Sequence, residues 1–190
     1  MASSAEFDEL CSSMKKAAAT LRDHGIPFLL AGGLASWARG GPPREHDVDF
    51  AIRPTDVESA ASALSEAGMK IVRPPEDWLI KAMDGSICID LIFEPIGCPV
   101  DDRMLDRGEE MEVHSVRMPV MAADDILVTK LLALRETYLD YSGLLQMARA
   151  LREQIDWESV WKRTNESVFA RAFFTMVEGL NIAPEREPAG

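Results

Sequence analysis

The sequence predicts an α+β fold, in which a β-sheet is flanked by helices and followed by a C-terminal helical segment. Two observations support this prediction. Short apolar runs of strand length are interspersed with amphipathic helix patterns in the first part of the chain, and only helical periodicity follows from residue 122 onward. We therefore expect a core over residues 1–120, a helical segment packed on it over residues 121–182, and a disordered tail over residues 183–190.

The first elements of the core follow from apolar spacing and from glycine. Apolar residues at helical spacing predict a helix over residues 6–23, and the apolar run over residues 26–31 predicts a strand. Two glycines, Gly32 and Gly33, end this strand and lead into a short helix over residues 34–39. The core therefore begins with a helix, a buried strand and a second, shorter helix.

The rest of the chain continues with strands and then with helices. A strand over residues 47–52 precedes a helix over residues 55–67, for which Thr55 is the expected N-cap. The pair Asp84 and Gly85 predicts a hairpin turn between two further strands. The remaining predicted strands cover residues 69–72, 78–83, 87–93 and 111–118, and the predicted C-terminal helices cover residues 124–136, 141–152, 156–163 and 167–180.

Composition limits the partners and the location. The 190 residues include 20 Lys and Arg against 32 Asp and Glu, and the net charge of −12 argues against a broad surface that tracks nucleic-acid phosphates. Three cysteines without a Cys-x-x-Cys spacing argue against a disulfide framework and against a zinc site. We find no secretory leader and no apolar stretch of the roughly 20 residues that cross a bilayer. We therefore expect a cytoplasmic protein that does not enter the membrane.

The strongest chemical signal is the pair Asp47 and Asp49. Residues two apart on a strand point to the same face, so the two carboxylates project together while Val48 and Phe50 pack behind them. Oxygen ligands suit Mg²⁺ or Mn²⁺ better than zinc, and a divalent cation relieves the repulsion between the carboxylates. Other acidic pairs with this spacing occur in the chain, so a solvated pair without a metal is the alternative.

A second signal is the glycine pair, Gly32 and Gly33, at the end of the first strand. Backbone N–H groups at a strand-to-helix turn bind anions, and glycine lets a phosphate approach closely. Ser36, in the first turn of the following helix, is a further candidate phosphate ligand. The alternatives are a tight turn without a ligand and a solvated helix serine.

Two single charges lie in otherwise apolar patterns. Asp90 is the one charged residue of the strand over residues 87–93, where it would serve as a general base or as a third metal ligand. A solvent-facing carboxylate on an edge strand is the alternative. Lys130 falls within the apolar arc of its helix, where a buried lysine needs an anion such as a triphosphate. A lysine whose stem covers apolar surface is the alternative.

In combination, these motifs resemble the nucleotidyltransferase superfamily, which has the polymerase-beta-like fold. The resemblance implies a mixed sheet of the nucleotidyltransferase type, catalysis that depends on Mg²⁺, and a nucleoside triphosphate as the donor. It also implies that the three carboxylates bind the metal and catalyse the transfer. The residues that carry the resemblance are Ala31-Gly32-Gly33, Asp47-Val48-Asp49 and Asp90.

Within the superfamily, the chain looks most like the AbiEii/MenT-type nucleotidyltransferase toxins and their bacterial relatives. This resemblance implies nucleotide transfer to tRNA, a possible antitoxin partner, and a role for Lys130 in binding the triphosphate. It extends more loosely to Asp140 as a nucleotide ligand, for which a helix cap is the alternative.

The residues just before Asp47 are also similar to antibiotic-modifying members of the superfamily. Arg44 and His46 match part of the pattern found in enzymes that act on aminoglycosides or lincosamides, with one residue fewer between His46 and Asp47. Arg44 is therefore a candidate phosphate ligand, with a surface arginine as the alternative. Three functions remain open: transfer to tRNA, transfer to a small hydroxylated molecule, and nucleotide binding without catalysis.

Overall fold

The computed structural model describes residues 4–42, 47–95 and 98–186, with side chains from residue 7 onward. The helices are α1 (Ser4–Asp23), α2 (Gly32–Ala38), α3 (Val57–Glu66), α4 (Asp102–Asp106), α5 (Ala123–Leu132), α6 (Tyr141–Leu151), α7 (Trp157–Thr164) and α8 (Val168–Gly179). The strands are β1 (Leu29–Ala31), β2 (Val48–Ala51), β3 (Lys70–Val72), β4 (Leu79–Asp84), β5 (Ile87–Ile92), β6 (Glu109–Val113) and β7 (Val116–Val120). A short 3-10 turn, Pro54–Asp56, precedes α3.

The seven strands form one mixed sheet in the order β3-β4-β5-β2-β1-β7-β6. The central strand β2 is antiparallel to β1 and parallel to β5, and β1 is parallel to β7. The outer pairs β3–β4, β4–β5 and β6–β7 are antiparallel. The predicted α+β fold, with a mixed sheet flanked by helices, is therefore confirmed.

Residues on β4 and β5 alternate between two faces of the sheet. Ile80, Ala82 and Ile89 are buried on the face against which α1 and α3 pack. Because side chains alternate along a strand, Lys81 and Asp90 point to the opposite face and are only partly buried. The charged side chains of these strands therefore lie on the face away from α1 and α3.

The strand predicted over residues 111–118 is wrong, because the structure divides it into β6 and β7. Their connecting turn contains His114 and Ser115, which both have positive φ (46° and 65°). Primed hairpin turns need this backbone, but the sequence signal for them is Gly, Asn or Asp. The alternation of apolar residues continues through the turn, so the sequence pattern does not reveal it.

Smaller differences concern the ends of elements. The hairpin predicted at Asp84 and Gly85 is confirmed, but its turn residues are Gly85 and Ser86, since Asp84 pairs with Ile87. Helix α2 begins at Gly32 rather than at residue 34, and α5 ends at Leu132 rather than at residue 136. Helix α4, which Asp101 caps by accepting from the backbone N–H of Met104, has no counterpart in the predicted elements.

Buried charges attach the C-terminal helices to the sheet. Asp125 of α5 is completely buried and pairs with Arg107 at 2.8 Å and with Arg163 at 2.6 Å. Arg39, just after α2, donates hydrogen bonds to the backbone carbonyls of Val120 and Met121, at 3.2 and 2.6 Å. These bonds place α5 beside α2. A division of the chain at residue 120 stays a prediction.

The end of the chain packs further than the sequence suggests. Ala183 is buried, and the guanidinium of Arg186 lies 3.5 Å from the ring centroid of Trp161. Disorder is therefore not observed for residues 183–186, and residues 187–190 lie outside the described part of the chain. No helix within the described ranges is long and apolar enough to cross a membrane.

Candidate active site

The turn from β1 into α2 brings the backbone against a carboxylate. Gly32 has a φ of +61°, and a Cβ atom placed there would lie 1.8 Å from Oδ2 of Asp49. A side chain at this position would therefore be strained and would also displace the carboxylate. Glycine at residue 32 is thus required by the position of Asp49.

Strand register places four residues in one row across the sheet. Ala31 on β1 lies opposite Asp49 on β2, which is in register with Asp90 on β5. Asp90 in turn lies opposite Lys81 on β4. Since adjacent strands lie about 4.8 Å apart, Asp49 and Asp90 are close neighbours on the same face.

Asp49 is held in an environment that disfavours its charge. Burial, together with the charges of Asp90 and Asp47, raises the pKa of Asp49 to about 6. Lys130 and Lys81 act in the opposite direction. The charged form of such a carboxylate is destabilised in the free protein, and a bound cation would stabilise it.

Lys81 is a site residue that the sequence analysis does not identify. Its Nζ atom lies 2.8 and 3.0 Å from the two carboxylate oxygens of Asp90. The thiol of Cys88 donates to Oδ1 of Asp90 at 3.2 Å. Burial, the largest single influence, acts to lower the pKa of Lys81, but the hydrogen bond to Asp90 and the charges of Asp90, Cys88 and Asp47 together raise it. The sequence feature that could have identified Lys81 is a single lysine in an apolar strand of a predicted hairpin, whose register pairs residues 81 and 90.

A pocket of ≈ 220 Å³ opens between α2, α5 and α6. Its wall includes Gly33 and the buried Ser36 from α2, and Lys130 from α5. Lys130 lies near enough to Asp49 to lower its pKa, so the pocket adjoins the carboxylate row. The remaining wall is formed by Pro42, Ala133, Leu134, Tyr138, Asp140, Gly143, Leu144 and Met147.

The comparison with known protein families identifies the family to which this chain belongs. Residues 8–180 match the model of a family described as "Uncharacterised nucleotidyltransferase". The chain belongs to this family. It is thus a nucleotidyltransferase, and its carboxylate row and adjoining pocket form the candidate active site.

Solved structures with the same fold include other nucleotidyltransferases. The solution structure of the antibiotic-resistance factor ANT(2'')-Ia has a TM-score of 0.59 at 13% identity, over 90% of this chain and 98% of that chain. The crystal structure of ANT(2'')-Ia with adenylyl-2''-tobramycin has a TM-score of 0.58 at 13% identity, over 87% and 97%. JHP933 from Helicobacter pylori has a TM-score of 0.57 at 13% identity, over 96% and 81%. No curated protein sequence is significantly similar to this chain.

The predicted site residues that the structure describes lie in one region, since the charge of Asp47 acts on Asp49 and Asp140 lines the pocket. Asp47 is exposed just before β2, and Asp140 caps α6 by accepting from the backbone N–H of Gly143 at 3.0 Å. Arg44 and His46 lie outside the described residues. Among the residues that are described, no three His, Cys, Asp or Glu side chains are arranged to hold one metal ion.

Proposed function

We propose that this protein transfers a nucleoside monophosphate from a nucleoside triphosphate to an acceptor hydroxyl, with a divalent cation bound by Asp47 and Asp49. The observation that carries the proposal is the Asp49 carboxylate. Burial and the acidic neighbours of Asp49 raise its pKa and so favour its neutral form. The carboxylate lies against the backbone of Gly32 beside the pocket. Such a carboxylate is suited to a cation and a phosphate chain rather than to a purely structural role.

The residues fit Mg²⁺, or Mn²⁺ in its place. Mg²⁺ prefers oxygen ligands and is usually held by one or two carboxylates together with substrate phosphates. Asp47 and Asp49 would supply the two carboxylates, so a third protein ligand is not needed. When bound, the cation neutralises charge on the phosphates. Asp90 as an additional ligand stays a prediction, and its pairing with Lys81 favours a different role.

The pocket supplies the site for the triphosphate. Backbone N–H groups at the start of α2, around Gly33, suit a phosphate, and the hydroxyl of Ser36 lies in the same wall. Lys130 adds a positive charge to this wall, near Asp49. This arrangement supports the predicted roles of Gly32, Gly33, Ser36 and Lys130 in nucleotide binding. A direct contact of Asp140 with the nucleotide competes with its role as the N-cap of α6.

We assign Asp90 the role of general base. The acceptor oxygen attacks the α-phosphorus, its proton passes to a carboxylate oxygen of Asp90, and the bond to the departing pyrophosphate breaks. Lys81 touches both oxygens of Asp90 and so fixes the orientation of the carboxylate. Oδ1 accepts from both Lys81 and Cys88, whereas Oδ2 accepts from Lys81 and keeps a second lone pair for the proton of the acceptor. Lys81 is accordingly a positioning residue.

A small, hydroxylated and preferably cationic molecule is the acceptor that the charge favours. A net charge of −12 repels a polyanion, whereas it attracts a cationic acceptor. The fold shared with ANT(2'')-Ia, which was solved with adenylyl-2''-tobramycin, is compatible with an acceptor of this class. The second candidate is tRNA, as in the AbiEii/MenT-type toxins, and the resemblance of the motifs supports it. An antitoxin partner would accompany only this second function. We also propose that the reaction takes place in the cytoplasm.

The test is transfer of label from each nucleoside triphosphate labelled at the α-phosphorus, with Mg²⁺, to two acceptor sets. One set is total tRNA, and the other contains hydroxylated small molecules such as tobramycin and lincomycin. Label in a small molecule supports the favoured acceptor, and label in tRNA supports the second candidate. Asp49→Asn should abolish either transfer, while Glu110→Gln on the exposed edge strand should leave it unchanged. Triphosphate binding without transfer to any acceptor contradicts the proposed reaction.

A further inference from the structure

The pocket beside Asp49 changes chemical character along α5. Lys130 lies next to the carboxylates, whereas Ala133 and Leu134 follow directly after the end of α5. Leu144 and Met147 of α6 extend this apolar wall. A polar end for the phosphates is thus continuous with an apolar surface, and this combination is typical of sites for amphipathic small molecules.

Tyr138 lines the pocket from the segment between α5 and α6. Its backbone is held by two reciprocal hydrogen bonds, from Arg135 N–H to the Tyr138 carbonyl at 3.1 Å and from Tyr138 N–H to the Arg135 carbonyl at 2.9 Å. Despite this fixed backbone, 62% of Tyr138 is exposed. The ring is therefore presented at the pocket by a tight turn and has an uncovered surface.

We infer that Tyr138 is the stacking surface for the base of the nucleoside triphosphate. This inference rests on the proposed function, because it takes a nucleoside triphosphate as the donor. The phosphates lie towards Lys130 and Asp49, and the base lies between the Tyr138 ring and the apolar wall formed by Leu134 and Leu144. Stacking of bases on aromatic side chains tolerates all four bases, because each has a π face.

Base selection by hydrogen bonds is expected to be weak at this site. Among the residues that the structure describes, the polar side chains in the wall are Ser36, Lys130, Tyr138 and Asp140. Asp140 already caps α6, and Lys130 lies at the carboxylate end. Loss of the ring should therefore weaken the binding of all four nucleoside triphosphates to a similar degree.

The experiment measures the affinity of the full chain for ATP, GTP, CTP, UTP and inorganic tripolyphosphate by calorimetry with Mg²⁺. Tyr138→Ala should weaken each nucleoside triphosphate by about 5- to 150-fold. Tyr138→Phe should stay within about twofold of the wild type, because it keeps the ring. Tripolyphosphate should bind both variants as well as it binds the wild type. Leu139→Ala is the matched control, since Leu139 is the exposed neighbour (45%) and does not line the pocket.

The outcomes separate this inference from the proposed function. Equal weakening of tripolyphosphate and nucleoside triphosphates in Tyr138→Ala overturns the inference, because it indicates a general loss of the pocket. Unchanged affinity in Tyr138→Ala, or a wild type that binds tripolyphosphate as tightly as ATP, also overturns it. The binding assay needs no acceptor. Failure of transfer with Tyr138-dependent binding intact therefore contradicts only the proposed reaction.

Discussion

Replacing Asp49 with Asn should stabilise the metal-free protein while it removes activity. Burial and the charges of Asp90 and Asp47 raise the pKa of Asp49 from 3.8 to about 6 in the folded chain. A pKa that is higher by about two in the folded state makes ionised Asp49 destabilising by roughly 3 kcal/mol. Asn is nearly isosteric and does not ionise, so it avoids this cost.

The sign of the effect sets its pH range. Because the folded pKa is raised, protonated Asp49 contributes its full stability below about pH 4, and this contribution is lost as the pH rises through about 6. Asp49→Asn should thus differ little from the wild type at pH 4 and should be more stable by up to roughly 3 kcal/mol at pH 8. Carboxylates remote from Asp49 titrate alike in both proteins, and their effects cancel in the difference.

Urea unfolding of both proteins in EDTA, from pH 4 to pH 8, measures this difference directly. Glu110→Gln, at an exposed position, should show no such pH dependence. Adding Mg²⁺ at pH 8 should stabilise the wild type but not Asp49→Asn, since ligand binding to the folded state raises its stability. A difference that does not vary with pH, or an Asp49→Asn variant that is less stable at pH 8, would refute the electrostatic account of this site.

Two further predictions concern the neighbours of Asp49 and Asp90. Gly32→Ala should lower the free energy of unfolding by at least about 2 kcal/mol and abolish transfer. Gly25→Ala, which has a similar φ of +65° but open space around it, should lower this free energy by only about 1 kcal/mol. Similar losses for both variants would contradict the close approach of Asp49 to Gly32. Lys81→Met should lower kcat by roughly 10-fold or more with little change in KM for the triphosphate, because the Asp90 carboxylate loses the contact that orients it. Lys81→Arg should restore much of the activity, and an unchanged kcat in Lys81→Met would exclude a positioning role.

Much of the site follows from strand periodicity alone. Asp49 and Asp90 each lie between two buried neighbours, so their shared face is predictable once both segments are strands. Gly32 is predictable for a related reason, since few other residues tolerate a strand-to-helix turn with positive φ. The sequence therefore contained both the carboxylate row and the turn beside it.

The contacts that the sequence did not reveal depend on register or on distant packing. Lys81 lies opposite Asp90 because the hairpin turns at Gly85 and Ser86, whereas a two-residue turn at Asp84 and Gly85 would place it opposite Cys88. The position of Tyr138 at the pocket depends on α5 ending at Leu132, and no proline or glycine marks that end. Hairpin register decides the first feature, and the end of α5 decides the second.

The most direct test of the central claim compares triphosphate labelled at the α-phosphorus with triphosphate labelled at the γ-phosphorus, in the presence of Mg²⁺ and the acceptor. The account predicts that α-label enters the acceptor in an amount equal to the pyrophosphate released, that γ-label never does, and that Asp49→Asn and EDTA each stop the reaction. Transfer of γ-label to the acceptor, or undiminished transfer by Asp49→Asn, would contradict it.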